Sequence, residues 1–214
     1  MNNRLFTNTN LTLNTTSIFN DMLILNNHGP LVNEYLERCQ NVLDLALFEY
    51  SRVYAFRFDL RYPEKYWATD TNVISKFTAS LKAQIDADLN RKGKRGRSNL
   101  RYVWAKEQDT STNPHYHLMI FLNKDIYFTK GNMNAVDGNL ASMINQAWAS
   151  ALGLCTFELL GCVNFSNNGD YWINKNSVDL KKEYDACFQR LSYLAKSETK
   201  VYSGGCKSFG SSRK

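Results

Sequence analysis

Histidine is nearly missing from this chain, with three in 214 residues. Cysteine is used without pairing: Cys39, Cys155, Cys162, Cys187 and Cys206 are odd in number and scattered, and no C-x-x-C occurs. That is the usage of a reducing compartment, not of a disulfide framework. No apolar run approaches ~20 residues, and no apolar stretch follows a basic start, so neither a membrane span nor a secretion signal is expected. The expectation is a cytoplasmic protein with no membrane partner. There is no G-x-x-x-x-G-K-[ST], since "SGGCKS" lacks its spacing, and this excludes a nucleotide-driven motor of the P-loop kind. No small-molecule cofactor motif and no internal repeat is visible.

What is present suits one packed domain. A 43% hydrophobic share with 13% aromatics is enough for a core, and the formal charge of +6 suits a polyanionic partner without proving one. Residues 1–28 are rich in Asn and Thr without periodicity and read as a loosely ordered arm. Residues 29–200 read as the domain, and 201–214 as a basic Gly- and Ser-rich tail.

Within the domain, Leu36, Cys39, Leu43 and Leu47 are spaced as a helical stripe. "RVYAFRFDLRYP" alternates Tyr54, Phe56, Phe58 and Leu60 against Arg57, Asp59 and Arg61, a strand with one core face and one polar face that Pro63 stops. Ile74, Phe77, Leu81, Ile85 and Leu89 share a helix face behind Thr69 or Asp70 as cap. The loop "RKGKRGRSNLR" carries six Lys or Arg between 91 and 101 and no acid. "YVWAKEQ" and "HYHLMIFL" form a hairpin through "DTSTNP", and Leu140 to Ala151 mark a further helix. "GCVNF" and "YWI" read as two short strands around "SNNGD", and a last helix runs from about Lys181 to Lys196. The order predicts an α+β fold: a central antiparallel sheet of about five strands with helices packed mainly on one face.

His115 and His117 lie in the second hairpin strand, and side chains at i and i+2 share a face. Tyr116, Leu118, Ile120 and Leu122 fill the other face, so the histidines are expected on the side the core does not claim. Glu107, in the preceding strand, is brought across from them by the hairpin. Two imidazoles and a carboxylate leave coordination positions open, as in catalytic rather than closed structural metal sites. The predicted cofactor is a divalent ion, Mn²⁺ or Mg²⁺, with zinc left open. An H-x-H alone also arises as ordinary strand histidines, so a partner elsewhere must carry the distinction. That partner is "RLSYLAKSETK". Tyr193 points away from the stripe Tyr184, Phe188, Leu191 and Ala195, with Lys196 and Lys200 on its side. A tyrosine so placed can attack phosphorus while ammonium charge steadies the oxyanion.

An H-hydrophobic-H strand, an acid eight residues before its first histidine and a downstream Y-x-x-K resemble the HUH endonucleases: rolling-circle initiators, relaxases and related transposases. "SRVYAFRFDLRYP", "YLAKSETK" and "KSFGSSRK" are further similar to the filamentous-phage (inovirus) replication initiators and their prophage relatives. The resemblance implies a site-specific single-stranded DNA endonuclease, with Tyr193 as nucleophile, Lys196 as its helper and Glu107, His115 and His117 as metal ligands. It assigns DNA contacts to Arg57, Asp59 and Arg61. The basic loop adds Lys92, Lys94, Arg95, Arg97 and Arg101, and Lys200 lies beside the tyrosine. Residue 189 is Gln and residue 197 is Ser, so the second tyrosine of a Y-x-x-x-Y pair is missing. Duplex unwinding would come from a separate helicase. A relaxase or transposase with the same chemistry is one alternative, and a DNA-binding module with a vestigial nuclease site is the alternative of another class.

Overall fold

In the computed structural model, which describes residues 3–95, 97–108, 112–200 and 207–213, the chain forms ten strands and four α-helices among the described residues. Five short N-terminal strands, β1 (Arg4–Leu5), β2 (Asn8–Asn14), β3 (Ile18–Phe19), β4 (Met22–Leu23) and β5 (Leu31–Val32), precede α1 (Asn33–Glu49). The domain continues with β6 (Arg52–Leu60), α2 (Val73–Arg91), β7 (Arg101–Glu107) and β8 (His115–Asn123). It closes with α3 (Leu140–Leu152), β9 (Val163–Asn174), α4 (Leu180–Ser192) and β10 (Phe209–Ser211). Strands β10, β7, β8, β6 and β9 lie in that order in one antiparallel sheet. The α+β class and the five-stranded antiparallel sheet are as the periodicities predict.

The helices are divided between the two faces instead of gathering on one. Tyr54, Phe56, Phe58 and Leu60 of β6 pack with Tyr116, Leu118 and Ile120 of β8 against α2 and α3. The opposite residues, Val53 and Ala55 with Val103, Ala105, Met119 and Phe121, pack against α1 and α4. The face bearing the histidines is therefore claimed by a second core over most of its length. Small side chains at Ala55 and Ala105 kept that face from reading as apolar in β6 and β7.

Three other expectations are corrected. The N-terminal segment is not a loose arm: β2 pairs with β5, and Leu11, Met22 and Ile24 are buried. It joins the fold because its few apolar residues are seated against α1 and α4. Helix α2 is capped by neither Thr69 nor Asp70; its first turn follows Asn72, and Asp70 instead accepts from the Asn72 amide at 2.8 Å. The two short strands around "SNNGD" are one strand, β9, with a bulge. Phe56 pairs with Asp170 and Phe58 with Phe165, so two steps along β6 match five along β9. Of the tail, residues 207–213 fold back to add β10 to the sheet edge, while 201–206 (with Tyr202 and Cys206), Gly96 and the first three residues of the "DTSTNP" turn lie outside the described residues.

Trp148 of α3 is fully buried and its indole N–H donates to the Arg61 carbonyl at 2.8 Å, pinning the end of β6. Trp148→Ala is expected to cost about 3–5 kcal/mol of stability. Denaturant unfolding of the two proteins measures it.

Candidate metal and tyrosine site

Three strand ends meet at one end of the sheet: the last residue of β7, the first residues of β8 and the last residues of β6. Glu107 stands directly opposite His115, and Asp59 opposite His117. The ligand atoms of Glu107, His115 and His117 all lie within 4.8 Å of one another, and this group can hold a metal ion. Glu107 Oε2 is 3.3 Å from His117 Nε2. His117 is only 5% exposed.

The donor chemistry fits an ion. Asp59 Oδ1 is 2.6 Å from His117 Nδ1. An ionised carboxylate only accepts, so Nδ1 carries a proton and Nε2 is left facing Glu107, donating to that carboxylate when protonated and free to ligate an ion when neutral. Arg57 also approaches Nδ1 at 3.2 Å; being a donor, it is held there by Asp59, whose carboxylate lies 3.6 Å from its guanidinium. Burial and the neighbouring His117 keep the His115 imidazole below its ordinary pKa, in the neutral form a ligand needs. Burial resists charge on His117, yet Asp59 and Glu107 together hold its pKa above the usual value. Burial would raise Glu107, but the His117 hydrogen bond and the Lys200 and Lys196 ammonium groups hold its carboxyl well below the ordinary range.

Helix α4 stops at Ser192, and Tyr193–Ala195 tighten into a 3₁₀ turn over this end of the sheet. The Tyr193 ring lies edge-on to His117 with centroids 5.5 Å apart, and the Arg57 guanidinium sits 4.2 Å from its centre. Lys196 bridges the two halves of the site, with Nζ 3.2 Å from the Tyr193 hydroxyl and 2.7 Å from Glu107 Oε2. Burial opposes its charge, but Glu107 and Tyr193 raise its pKa above the ordinary lysine value.

Several residues expected to meet nucleic acid are turned onto partners within the protein. Lys200 has a fully buried side chain, 3.4 Å from Glu107 Oε1 and 2.6 Å from the Lys196 carbonyl; burial pulls its pKa down to about 8. Its side chain has no exposed surface. Arg57 and Asp59 are turned inward on Tyr193 and His117. Arg101 is buried against Glu49 at the other end of β7. The basic loop is at that far end too: Ser98 Oγ accepts from the Asn123 amide, and the Arg97 carbonyl from its side chain. Six residues of strand separate it from Glu107, roughly 20 Å. The expectation that the loop lies beside the histidines is therefore corrected. The cause is the extended length of β7, whose first residue follows the loop and whose last residue, Glu107, lies at the opposite end of the sheet. Lys94, Arg95 and Arg97 remain exposed, while Lys92 is tied to Asp88 at 2.6 Å. Arg61 does stay exposed near the site, in a cleft of about 370 Å³ that it shares with Tyr62, Asn113 and His115. A larger groove of about 1170 Å³ runs between α1 and β10 and includes none of the Glu–His–His group.

Sequence reasoning missed the N-terminal contribution. Leu31 of β5 bridges to Lys196, the Pro30 carbonyl accepts from the Ser197 amide at 3.1 Å, and His28 places its ring 5.6 Å from that of Tyr193. The scarcity of histidine was the signal available for His28. Thr199, whose hydroxyl lies 3.0 Å from Glu107 Oε2, gave none.

Fold and site together define an α+β protein in which a carboxylate and two imidazoles, on a central antiparallel sheet, sit under a tyrosine–lysine pair. The chain belongs to the YagK/YfjJ C-terminal domain family, which matches residues 14–212. It is 36% identical over 199 residues to the uncharacterized protein YagK of Escherichia coli (strain K12), covering 87% of this chain and 95% of that one. It is 32% identical over 200 residues to the uncharacterized protein YfjJ of the same strain, covering 86% and 96%. Among solved structures, the N-terminal nuclease domain of minute virus of mice non-structural protein 1 is similar with a TM-score of 0.28 at 10% identity, over 81% of this chain and 76% of that one. That score is too low to bear on fold or function. No helix among the described residues is long and apolar enough to cross a membrane.

Proposed function

We propose that this protein is a metal-dependent, site-specific single-stranded DNA endonuclease that nicks and rejoins its substrate through a 5′-phosphotyrosine. In this reading it acts in the cytoplasm of a host cell to initiate rolling-circle replication of a phage, prophage or plasmid, with a separate helicase. One observation supports it above the rest: Lys196 joins the hydroxyl of Tyr193 to the Glu107 carboxylate, so a nucleophile and a Glu–His–His group face one small volume.

The chain's own groups divide the work. Lys196 is held as an ammonium and has no lone pair, so it donates to the Tyr193 oxygen and steadies the phenolate as the phenolic proton leaves to water. The Tyr193 oxygen attacks phosphorus, its new bond forming as the bond to the 3′ oxygen breaks, and that oxygen takes a proton from water. The phosphodiester is conserved in the phosphotyrosine, so the 3′ hydroxyl can reverse the step and reseal the strand. A divalent ion held by Glu107, His115 and His117 would polarise the scissile phosphate and offset its charge. Arg61, exposed in the cleft beside His115, would meet the flanking phosphate.

The test is denaturing electrophoresis of the protein with end-labelled single-stranded DNA and Mn²⁺, Mg²⁺ or Zn²⁺. A covalent band containing the 5′-phosphate fragment is expected, together with a 3′ end that a polymerase extends, and chelation should remove both. Cleavage without an adduct would mean hydrolysis by water. Binding without cleavage would favour the vestigial DNA-binding module.

A further inference from the structure

Arg57 is a buried cation that the mechanism above does not use. It is 6% exposed, and its Nε–H meets no acceptor among the described residues. An unsatisfied buried guanidinium N–H is costly, so stability alone does not account for its place. Its neighbours do. The guanidinium lies over the Tyr193 ring with its carbon 4.2 Å from the centroid, and reaches Asp59 at 3.6 Å, while Asp59 orients His117 at 2.6 Å. One planar group therefore touches both the ring of the nucleophile and the carboxylate that sets the tautomer of a ligand.

The backbone is adapted to this. The β9 bulge falls opposite Arg57, which keeps its register with Met119 of β8 but has no counterpart on β9. Bulges next to sites re-aim side chains. Gly169 closes the bulge against that strand: a Cβ there would stand 2.8 Å from the Ser166 carbonyl oxygen and 3.3 Å from that of Arg57. A lysine at position 57 could supply the charge but not a flat face to lie on the ring while reaching a carboxylate.

We propose that Arg57 is a positioning residue: it fixes the Tyr193 ring over the Glu–His–His group and, through Asp59, the orientation of His117, and it makes no contact with nucleic acid. This rests on the reading of Tyr193 as nucleophile.

The test uses the full chain with Arg57→Gln and Arg57→Lys, both checked for wild-type thermal unfolding, in two measurements. In the first, ring ¹³C–¹H resonances of tyrosine-labelled protein are recorded without DNA or metal, with Tyr193 assigned by its loss in Tyr193→Phe. The Tyr193 signals are expected to move toward those of a free tyrosine in both variants. In the second, single-turnover cleavage is expected to slow by roughly ten- to a hundredfold, with DNA affinity and its salt dependence unchanged. Arg57→Lys should not rescue the rate, because charge without planarity does not hold the ring.

An unchanged Tyr193 spectrum in both variants overturns the inference. So does weaker DNA binding with a shallower salt slope at an unchanged cleavage rate, which would make Arg57 a phosphate contact. If the wild type cleaves no DNA but the Tyr193 signals still move, the endonuclease reading fails while the ring-holding role stands. If the wild type cleaves and neither variant differs from it, only the role of Arg57 fails. Should Arg57→Gln unfold, Arg57→Lys, which keeps the charge facing Asp59, carries both measurements.

Discussion

Replacing Tyr193 by Phe is expected to abolish the covalent adduct with single-stranded DNA and to lower strand cleavage by at least roughly a thousandfold. The substitution removes one oxygen and keeps the ring, so the stacking of Arg57 at 4.2 Å and the edge contacts to His117 and His28 persist. What is lost locally is the hydrogen bond from Lys196 at 3.2 Å, a part-buried interaction worth about 1 kcal/mol. Lys196 keeps its Glu107 partner, so no charge is left alone. Folding and DNA binding should survive, and fluorescence anisotropy with a labelled oligonucleotide checks the binding. An adduct formed at the wild-type level by Tyr193→Phe would move the nucleophile elsewhere. Tyr184 would be a poor substitute: its hydroxyl donates to Asp44 at 2.6 Å, and burial together with that carboxylate pushes its phenol well above the ordinary range.

The second large effect is expected from the imidazoles. His115→Ala and His117→Ala should each weaken Mn²⁺ binding by at least about a hundredfold, since losing even a supporting partner of a ligand costs a site ten- to a hundredfold. Isothermal calorimetry with the metal alone reads this without any reference to activity. The two variants should differ in stability. His115 is half-buried at the mouth of the site, and its loss should leave folding nearly unchanged. His117 is buried between Asp59 and Glu107, and its removal takes a hydrogen-bond partner from both carboxylates, costing on the order of 1–3 kcal/mol. Equal metal affinity in wild type and both variants would remove the histidines from any metal site.

Most of the elements were legible because their signals are local. The stripe of α2 and the alternation of β6 are properties of one segment's spacing, and both segments bury the residues that spacing marks. Glu107 opposite His115 followed from a short hairpin, which leaves little freedom in register. The N-terminal strands were not legible, because β5 is two residues long and pairs with β2 across a long loop. The burial of Arg57 and Asp59 was misread for a related cause. A charged residue alternating with aromatics reads as solvent-facing, and only the arrival of Tyr193, well over a hundred residues later in the chain, buries that face.

By itself, then, the sequence determined the α+β class, the hairpin and the face on which a carboxylate and two histidines stand, since each depends on periodicity or on a turn of a few residues. Only the tertiary structure decided that a second core covers the histidine face, that the basic loop lies at the far end of the sheet and that Lys200 is buried on Glu107. Those outcomes depend on how distant segments meet, and the free energy that settles such meetings comes from side-chain packing and the pairing of buried charge. Neither quantity is written in the spacing of any one segment.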